Sequence, residues 1–246
     1  MLEDGGVADL CKRIVSARDG HQRVLVALAG PPGAGKSTLA AALKEAVCAE
    51  AGRGSAELVP MDGFHLDNAE LHRRGLFAVK GAPETFDVAG FVALVRNARK
   101  AVDDLPYPIF DRANDRTLQD AAILKAQTRF VIFEGNYLLL QQGDWAELSG
   151  LFDVTVLLTA PISVLRGRLV GRWLKHGLSQ RDAEARAEGN DMVNARTVLN
   201  ASGSAHIRLS TQSDGRISME THGQRKRRAG WNSTAQAKRD WRSVNT

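Results

Sequence analysis

Short apolar runs alternate along the chain with longer stretches in which apolar residues recur at helical spacing. The runs predicted to form strands are residues 24–29, 56–61, 129–133, 154–158 and 205–209. The stretches predicted to form helices are residues 37–50, 88–102, 164–176 and 183–199. Because the strands are almost continuously apolar and helices separate them, the pattern predicts an α/β fold whose mostly parallel sheet is covered on both faces, which makes three layers.

The segment from residue 211 onward departs from this alternation. It holds eight basic and three acidic residues, so that it alone accounts for the net charge of +5. Its few aliphatic residues cannot bury enough apolar area to offset the entropy of ordering. We therefore predict one folded domain over 1–210 and a basic, polar, disordered tail over 211–246. A nucleic-acid-binding arm is the less favoured interpretation of its QRKRR run.

Composition indicates the cellular compartment and the kinds of partner to expect. Hydrophobic residues make up 43% and charged residues 25%, as is ordinary for a soluble globular protein. No run of 18 apolar residues predicts a membrane span, and the two isolated cysteines, Cys11 and Cys48, show no metal-binding spacing. We expect a cytoplasmic protein that makes no membrane contact, for which nucleic acid is an unfavoured partner. A homodimer is one oligomeric state open to it.

The sequence GPPGAGKST at 30–38 follows the first predicted strand directly and opens the first predicted helix. It fits the pattern G-x-x-x-x-G-K-[ST] in the strand-to-helix setting that a phosphate-binding loop requires. Glycines let successive N–H groups turn towards a phosphate, and the helix N-terminus favours negative charge. The motif predicts ATP and Mg²⁺ as cofactors, with Lys36 on the phosphates and Ser37 on the metal. The predicted nucleotide-binding residues are Gly30, Gly33, Ala34, Gly35, Lys36, Ser37 and Thr38.

Two acidic residues lie at the ends of predicted strands, where ligands bind in such folds. Asp62 follows the second strand in the sequence MDGFH, and Glu134 ends the third in VIFEG. A kinase needs a carboxylate that orients the acceptor hydroxyl and accepts its proton, a role open to Asp62. Glu134 stands where a carboxylate would hold Mg²⁺. From the residues alone, Asp62 could also cap a turn, and Glu134 could be a solvated strand end.

Two further groups carry charge that suits phosphoryl transfer. Arg168 and Arg172 are four residues apart and share one face of a predicted helix, so they could stabilise a transferring phosphate or form a solvated basic face. Asp111 and Arg112 lie together in PIFDR, where they could grip polyol hydroxyls or form a surface ion pair. Guanine-reading N-K-x-D motifs are absent from the sequence.

These motifs resemble those of the phosphoribulokinase, uridine kinase and bacterial pantothenate kinase family over most of residues 20–210. The similarity rests on GPPGAGKST, MDGFH, PIFDR, VIFEGNYLLL and RGRLVGRW, and is greatest to the branch labelled fructose transport system kinase. The resemblance implies a P-loop kinase fold with a short, arginine-bearing lid. It implies that Asp62 is the catalytic base, that Arg168 and Arg172 are lid arginines, and that Glu134 is the acid of the E-G motif.

The middle motif bears on the acceptor. Uridine kinases usually carry Tyr-Asp followed by His and Arg, whereas this chain has Phe110-Asp111-Arg112, and pantothenate kinases have another middle motif. The expected acceptor is a sugar such as fructose, with a nucleoside or pantothenate-type kinase, or a nucleotide-gated ATPase or regulatory module, as alternatives. Tyr137 could stack on a ring or pack in the core. The predicted substrate-contacting residues are Asp62, His65, Asp111, Arg112, Glu134, Asn136 and Tyr137.

Overall fold

A computed structural model describes residues 6–17 and 23–219 of the chain. Within these residues one sheet has the strand order β2-β5-β1-β6-β7-β8, in which β8 alone runs antiparallel, and a separate hairpin pairs β3 with β4. The strands are β1 (Val24–Ala29), β2 (Ala56–Pro60), β3 (Leu105–Asp111), β4 (Arg116–Leu124), β5 (Phe130–Gly135), β6 (Val154–Thr159), β7 (Ile207–Thr211) and β8 (Ile217–Met219).

Helices cover both faces of the main sheet, and capping side chains fix where two of them begin. The Asp87 side chain accepts from the Gly90 N–H at the start of α4, and Ser179 accepts from the Asp182 N–H at the start of α6. A π-helical segment, Ala187–Asp191, joins α6 to α7. The helices are α1 (Gly6–Ser16), α2 (Lys36–Ala51), α3 (Asn68–Arg73), α4 (Val88–Lys100), α5 (Ile162–Lys175), α6 (Gln180–Arg186) and α7 (Met192–Ala201).

Strand β1 shows why the sheet is buried on both sides. Alternate residues of a strand point to opposite faces. Val24, Val26 and Leu28 therefore join one apolar core with α1, α2 and α5, and the other three join a second core with α4. Every residue of β1 is fully buried. The prediction of a parallel sheet between two helical layers is confirmed.

The hairpin of β3 and β4 was not predicted from the sequence. Prolines at 106 and 108 interrupt the apolar pattern of β3, and β4 is largely exposed. The hairpin lies against the 3₁₀ turn Met61–Phe64 that follows β2. A Cβ on Gly63 would lie 2.1 Å from the carbonyl oxygen of Pro108, so this close approach requires glycine.

The predicted boundary at residue 210 is wrong. Strand β7 continues to Thr211, which is 2% exposed, and β8 pairs with it antiparallel after a turn at Gly215. The folded domain therefore extends at least to Met219, because a short strand can be stabilised by pairing with a buried neighbour despite its polar sequence. The remaining predicted tail, 220–246, lies outside the described residues. None of the helices described is long and apolar enough to cross a membrane.

Candidate active site

The predicted phosphate-binding loop connects β1 to α2. A Cβ on Gly30 would lie 2.1 Å from the Leu158 carbonyl oxygen of β6, so the loop can leave the sheet only at a glycine. Gly33 and Gly35 have φ angles of 81° and 97°, in the left-handed region that favours glycine. Helix α2 begins at Lys36, so its N-terminus faces the loop. The seven predicted nucleotide-binding residues therefore lie in one continuous segment, made of the loop and the first residues of α2.

Lys36 lies buried at the mouth of this loop, with 7% of its surface exposed. Its Nζ donates to Oδ1 of Asn136 at 2.7 Å and to the Pro31 carbonyl at 3.2 Å, and lies 3.8 Å from Glu134 Oε1. Burial lowers the pKa of Lys36, an effect that Glu134 and Asp62 oppose. Burial likewise raises the pKa of Glu134, against the influence of Lys36. Lys36 and Glu134 therefore influence each other's pKa, and the charge of Asp62 raises the pKa of both.

The surroundings of Ser37 fit Mg²⁺. The Ser37 hydroxyl donates to Glu134 Oε2 at 3.4 Å, which places two hard oxygen ligands beside the phosphate-binding loop. Across the described part of the chain, no cluster of three His, Cys, Asp or Glu side chains could hold a metal alone. In kinases, phosphate oxygens and water usually supply the other ligands of Mg²⁺.

Asp62 lies in the 3₁₀ turn that follows β2. Its carboxylate accepts from Nη2 of Arg112, which projects from the tip of the hairpin. The turn itself is closed by the backbone carbonyl of Asp62, which accepts from the His65 N–H at 3.2 Å. The interpretation of the Asp62 carboxylate as a turn cap is therefore wrong. The carboxylate is 29% exposed, and its charge raises the pKa of the buried Lys36 and Glu134.

His65 packs beside Asp62. Its ring centroid lies 4.2 Å from that of Phe86 and 4.6 Å from that of Phe110, and its Nδ1 is 2.8 Å from the Asp62 carbonyl. Because a carbonyl can only accept, Nδ1 carries the proton. Burial lowers the pKa of His65, so the ring stays neutral at pH 7. These contacts pack the His65 ring against the turn that carries Asp62.

The surface ion pair of Asp111 with Arg112, one of the two alternatives, is not formed, because each side chain has another partner. Oδ1 of Asp111 accepts from the backbone N–H groups of Ala113 and Asn114 at 3.1 and 3.2 Å, and its Oδ2 accepts from the Asn114 side chain at 2.7 Å. Short Asp side chains commonly close turns in this way. Asp111 therefore shapes the hairpin tip, and Arg112, with 75% of its side chain exposed, pairs with Asp62 instead.

The assignment of Tyr137 to substrate binding is wrong, because the residue packs in the core. Its side chain is fully buried against Phe86 and Trp145, and its hydroxyl donates to the Gly81 carbonyl at 2.6 Å. The apolar run that continues after it, Leu138 to Leu140, was the sequence signal for burial. Its neighbour Asn136 contacts Lys36 from within the site.

The two predicted lid arginines lie on α5 and make different contacts. Arg168 donates through Nη1 to the carbonyls of Gly33 and Ala34 at 3.2 and 3.3 Å, so it binds the phosphate loop itself. Arg172 pairs with Asp191 at 2.9 Å. The alternative of a purely solvated basic face is therefore wrong. A cavity of 360 Å³ beside them is lined by Arg168, Gly171, Arg172, Lys175 and His176.

Three contributors to the site were not predicted. Lys80 bridges α3 and the hairpin, with Nζ 2.7 Å from Asn68 Oδ1 and 2.8 Å from Asp115 Oδ1. Thr211, from the segment assigned to the tail, donates to the Ala34 carbonyl at 2.8 Å. Asp191 lies in the EGND sequence of the π-helical segment. Each acts on a partner distant in sequence, so no local pattern could reveal it.

A strand-loop-helix phosphate site, a buried lysine, an acid at the end of β5 and a second acid after β2 define a P-loop kinase. No family model matches the chain. A Schizosaccharomyces pombe protein named putative uridine kinase is 40% identical over 193 residues, which span 76% of this chain and 82% of that protein. The pantothenate kinase of Leifsonia xyli subsp. xyli is 32% identical over 151 residues, 61% of this chain and 45% of its own length.

Among solved structures, a putative fructose transport system kinase from Silicibacter sp. TM1040 is 44% identical, with a TM-score of 0.77, over 82% of this chain and 98% of that one. The chain therefore belongs to the P-loop kinases of the uridine kinase and pantothenate kinase family. It is a phosphotransferase, and kinases of this type use ATP with Mg²⁺. The family resemblance drawn from the motifs is confirmed.

Proposed function

We propose that this enzyme transfers the γ-phosphate of ATP to a hydroxyl group of a sugar or sugar-like polyol such as fructose. The observation that carries the proposal is the position of the Asp62 carboxylate. Its charge raises the pKa of both Lys36 of the phosphate loop and Glu134 at the end of β5, and it accepts a hydrogen bond from the exposed Arg112. A partly exposed carboxylate whose charge reaches the phosphate site can orient an acceptor hydroxyl and accept its proton.

The proposed step follows from these groups. Asp62 accepts the proton of the acceptor hydroxyl as its oxygen attacks the γ-phosphorus, and the bond to the β,γ-bridging oxygen breaks to leave ADP. Lys36 and the two lid arginines, Arg168 and Arg172, stabilise the negative charge that builds on the transferring group. Mg²⁺, held by Ser37 and Glu134, would neutralise further phosphate charge. Asn136 fixes Lys36 through the 2.7 Å contact of its Oδ1.

Two observations support a polyol acceptor over a nucleoside. The rings of Phe86 and Phe110 near Asp62 are both packed on His65, whereas a nucleobase is usually held by stacking on an aromatic ring. Arg112 offers a planar fork of donors for adjacent hydroxyl or other oxygen groups. The 44% identical solved structure, described as a putative fructose transport system kinase, points the same way. The S. pombe relative keeps uridine among the acceptors to be tested.

The test is ADP release from MgATP, measured alone and with fructose, other sugars, uridine, cytidine and pantothenate. We expect release to depend on a sugar, and Asp62→Asn to lower kcat by about 10²- to 10⁴-fold, the usual contribution of a general base. MgATP affinity of this variant, measured by calorimetry, should stay close to that of the wild type, since Asp62 serves the acceptor.

The results separate the alternatives. Dependence on uridine, cytidine or pantothenate would keep the kinase and replace the acceptor class. ADP release that no acceptor stimulates and that Asp62→Asn leaves unchanged would contradict the proposal and favour a nucleotide-gated ATPase. Full acceptor-dependent turnover in Asp62→Asn would show that the proton goes elsewhere.

A further inference from the structure

The π-helical segment Ala187–Asp191 contacts the lid helix α5 through one carboxylate. Oδ1 of Asp191 accepts from Nη2 of Arg172 at 2.9 Å, and its Oδ2 accepts from the indole N–H of Trp173 at 2.6 Å. Only 13% of this side chain is exposed. With both oxygens engaged by consecutive residues of α5, the carboxylate is fixed against this helix and restrains the guanidinium that it accepts from.

The ring of Trp173 reinforces this arrangement. The guanidinium carbons of Arg172 and Arg186 lie 5.1 and 5.2 Å from its centroid, within the range of cation–π attraction. Arg172 is therefore held twice, by the charge of Asp191 and by the face of an indole that Asp191 also fixes. A long arginine side chain on a helix surface would otherwise sample many rotamers.

Arg172 lies close to the phosphate site. It is one helical turn beyond Arg168, whose Nη1 binds the carbonyls of Gly33 and Ala34. Burial is the main reason that the pKa of Lys36 is lowered, and the charge of Arg172 adds to this effect. The pair with Asp191 uses Nη2, and a guanidinium has five N–H donors, so others remain for a phosphate oxygen.

We propose that Asp191 is a positioning residue that holds Arg172 in the orientation in which it meets the γ-phosphate. This inference rests on the proposed function, in which Arg172 stabilises the transferring group. Asp191 itself contacts no reacting atom. It acts by ordering the arginine before the nucleotide binds, so that less rotamer freedom is lost when the contact forms.

The same segment offers a matched control. Glu188, three residues before Asp191, pairs with Arg166 at 2.7 Å and with Arg196 at 3.4 Å. Its side chain is 40% exposed, and salt bridges so exposed contribute little. Glu188→Gln removes the same charge from the same segment of helix without touching Arg172.

The test compares the affinities of MgATP and MgADP for the full chain by calorimetry. A group that contacts the γ-phosphate raises the affinity for MgATP and not for MgADP. The ratio of the MgADP dissociation constant to the MgATP dissociation constant therefore measures the contribution of Arg172, whereas a general loss of folding weakens both nucleotides. We expect Arg172→Gln to reduce the preference for MgATP by about tenfold, the size of one charge-assisted hydrogen bond. Asp191→Asn should reduce it by roughly threefold, as part of the same effect.

Three further variants complete the design. The double variant Asp191→Asn/Arg172→Gln should be no worse than Arg172→Gln, because Asp191 acts through the arginine. Asp191→Glu, which keeps the charge, should recover part of the preference. Glu188→Gln should keep the wild-type ratio. With the acceptor that the ADP-release test identifies, kcat should fall in Asp191→Asn and the acceptor KM should change little.

Each other outcome overturns a distinct claim. If Arg172→Gln lowers the preference and Asp191→Asn does not, the positioning role is wrong and the proposed function stands. If Arg172→Gln leaves the ratio unchanged, the role of Arg172 in the proposed function fails. A higher preference in Asp191→Asn would mean that the carboxylate restrains Arg172. Equal weakening of both nucleotides, with a lower melting temperature, would mean that Asp191 serves only the fold.

Discussion

The two halves of the candidate site are built in opposite ways. The nucleotide half comes from the continuous segment 30–38 and is lined by backbone and by the buried Lys36. The acceptor half comes from two elements far apart in sequence, the turn after β2 and the hairpin tip, and presents exposed side chains. Asp62 is 29% exposed and Arg112 75% exposed.

Apart from the proposed base Asp62, this difference indicates that the nucleotide half serves the reaction with every acceptor and that the hairpin tip determines the choice of acceptor. In the proposed mechanism, backbone N–H groups and a buried cation bind the same phosphates whatever the acceptor is, so changes there should lower turnover uniformly. Exposed side chains on a hairpin can change without disturbing the sheet, so changes there should alter the choice of acceptor. The following substitutions test that division.

The largest effect within the nucleotide half is expected from Lys36→Met. Loss of the cation that meets the phosphates should lower kcat by about 10²- to 10³-fold, the usual loss for one preorganised electrostatic group. The reduction should be the same for every acceptor that the enzyme uses. Steady-state ADP release with at least two acceptors measures it.

Lys44→Met on the same helix is the control for this substitution. Lys44 pairs with Glu57 at 2.9 Å on the surface, away from the loop, and should cost at most about 1 kcal/mol of stability. Both variants should unfold near the wild-type temperature. If Lys36→Met affected one acceptor much more than another, the proposed division between the halves would be contradicted.

The nucleotide half could be predicted from sequence because all its requirements are local. Glycine at Gly33 and Gly35 is demanded by the left-handed backbone, and Lys36 and Ser37 follow directly at the helix start. The motif therefore carries its own geometry. The parallel sheet was predictable for a similar reason, since continuous apolar strands such as β1 are a local signature of burial on both faces.

The acceptor half could not be predicted in detail because its contacts are non-local. Nothing near Asp62 in sequence indicates that Arg112, fifty residues later, binds it, or that Asp111 turns away to close the hairpin. Tyr137 shows the same limit, since a Tyr after E-G-N is compatible with a site or a core. The fate of these side chains depends on how the hairpin meets the turn after β2.

A smaller and more selective effect is expected from Arg112→Ala in the acceptor half. The acceptor loses a charged hydrogen-bonding partner, so its KM should rise about tenfold, as for one hydrogen bond to a charged group. The dissociation constant of MgATP, measured by calorimetry, should not change. Arg116→Ala is the control, since Arg116 lies on the same hairpin, 63% exposed and 4.0 Å from Asp111. Equal effects of the two alanines would mean that Arg112 has no specific role.

The smallest effect on activity is expected from Tyr137→Phe, which lies beside the site in sequence but in the core in space. Removing its hydroxyl leaves the Gly81 carbonyl unpaired, which should cost about 1–2 kcal/mol of unfolding free energy and lower Tm by a few degrees. The KM for MgATP, the KM for the acceptor and kcat should each remain within about twofold of the wild type, because the substitution should change binding free energies at the site by less than about 0.5 kcal/mol.

Tyr107→Phe provides the comparison, because the Tyr107 hydroxyl lies 3.5 Å from the Leu58 carbonyl, the limit for a hydrogen bond, and should cost less than Tyr137→Phe. Thermal unfolding and steady-state kinetics on the two variants measure both expectations. A Tyr137→Phe variant with normal Tm and an altered acceptor KM would mean that Tyr137 takes part in binding the acceptor. In the wild-type enzyme, the hydrogen bond from the Tyr137 hydroxyl to the Gly81 carbonyl would then have to break when the substrate binds. A fully buried hydroxyl can reach the substrate only by leaving its present partner.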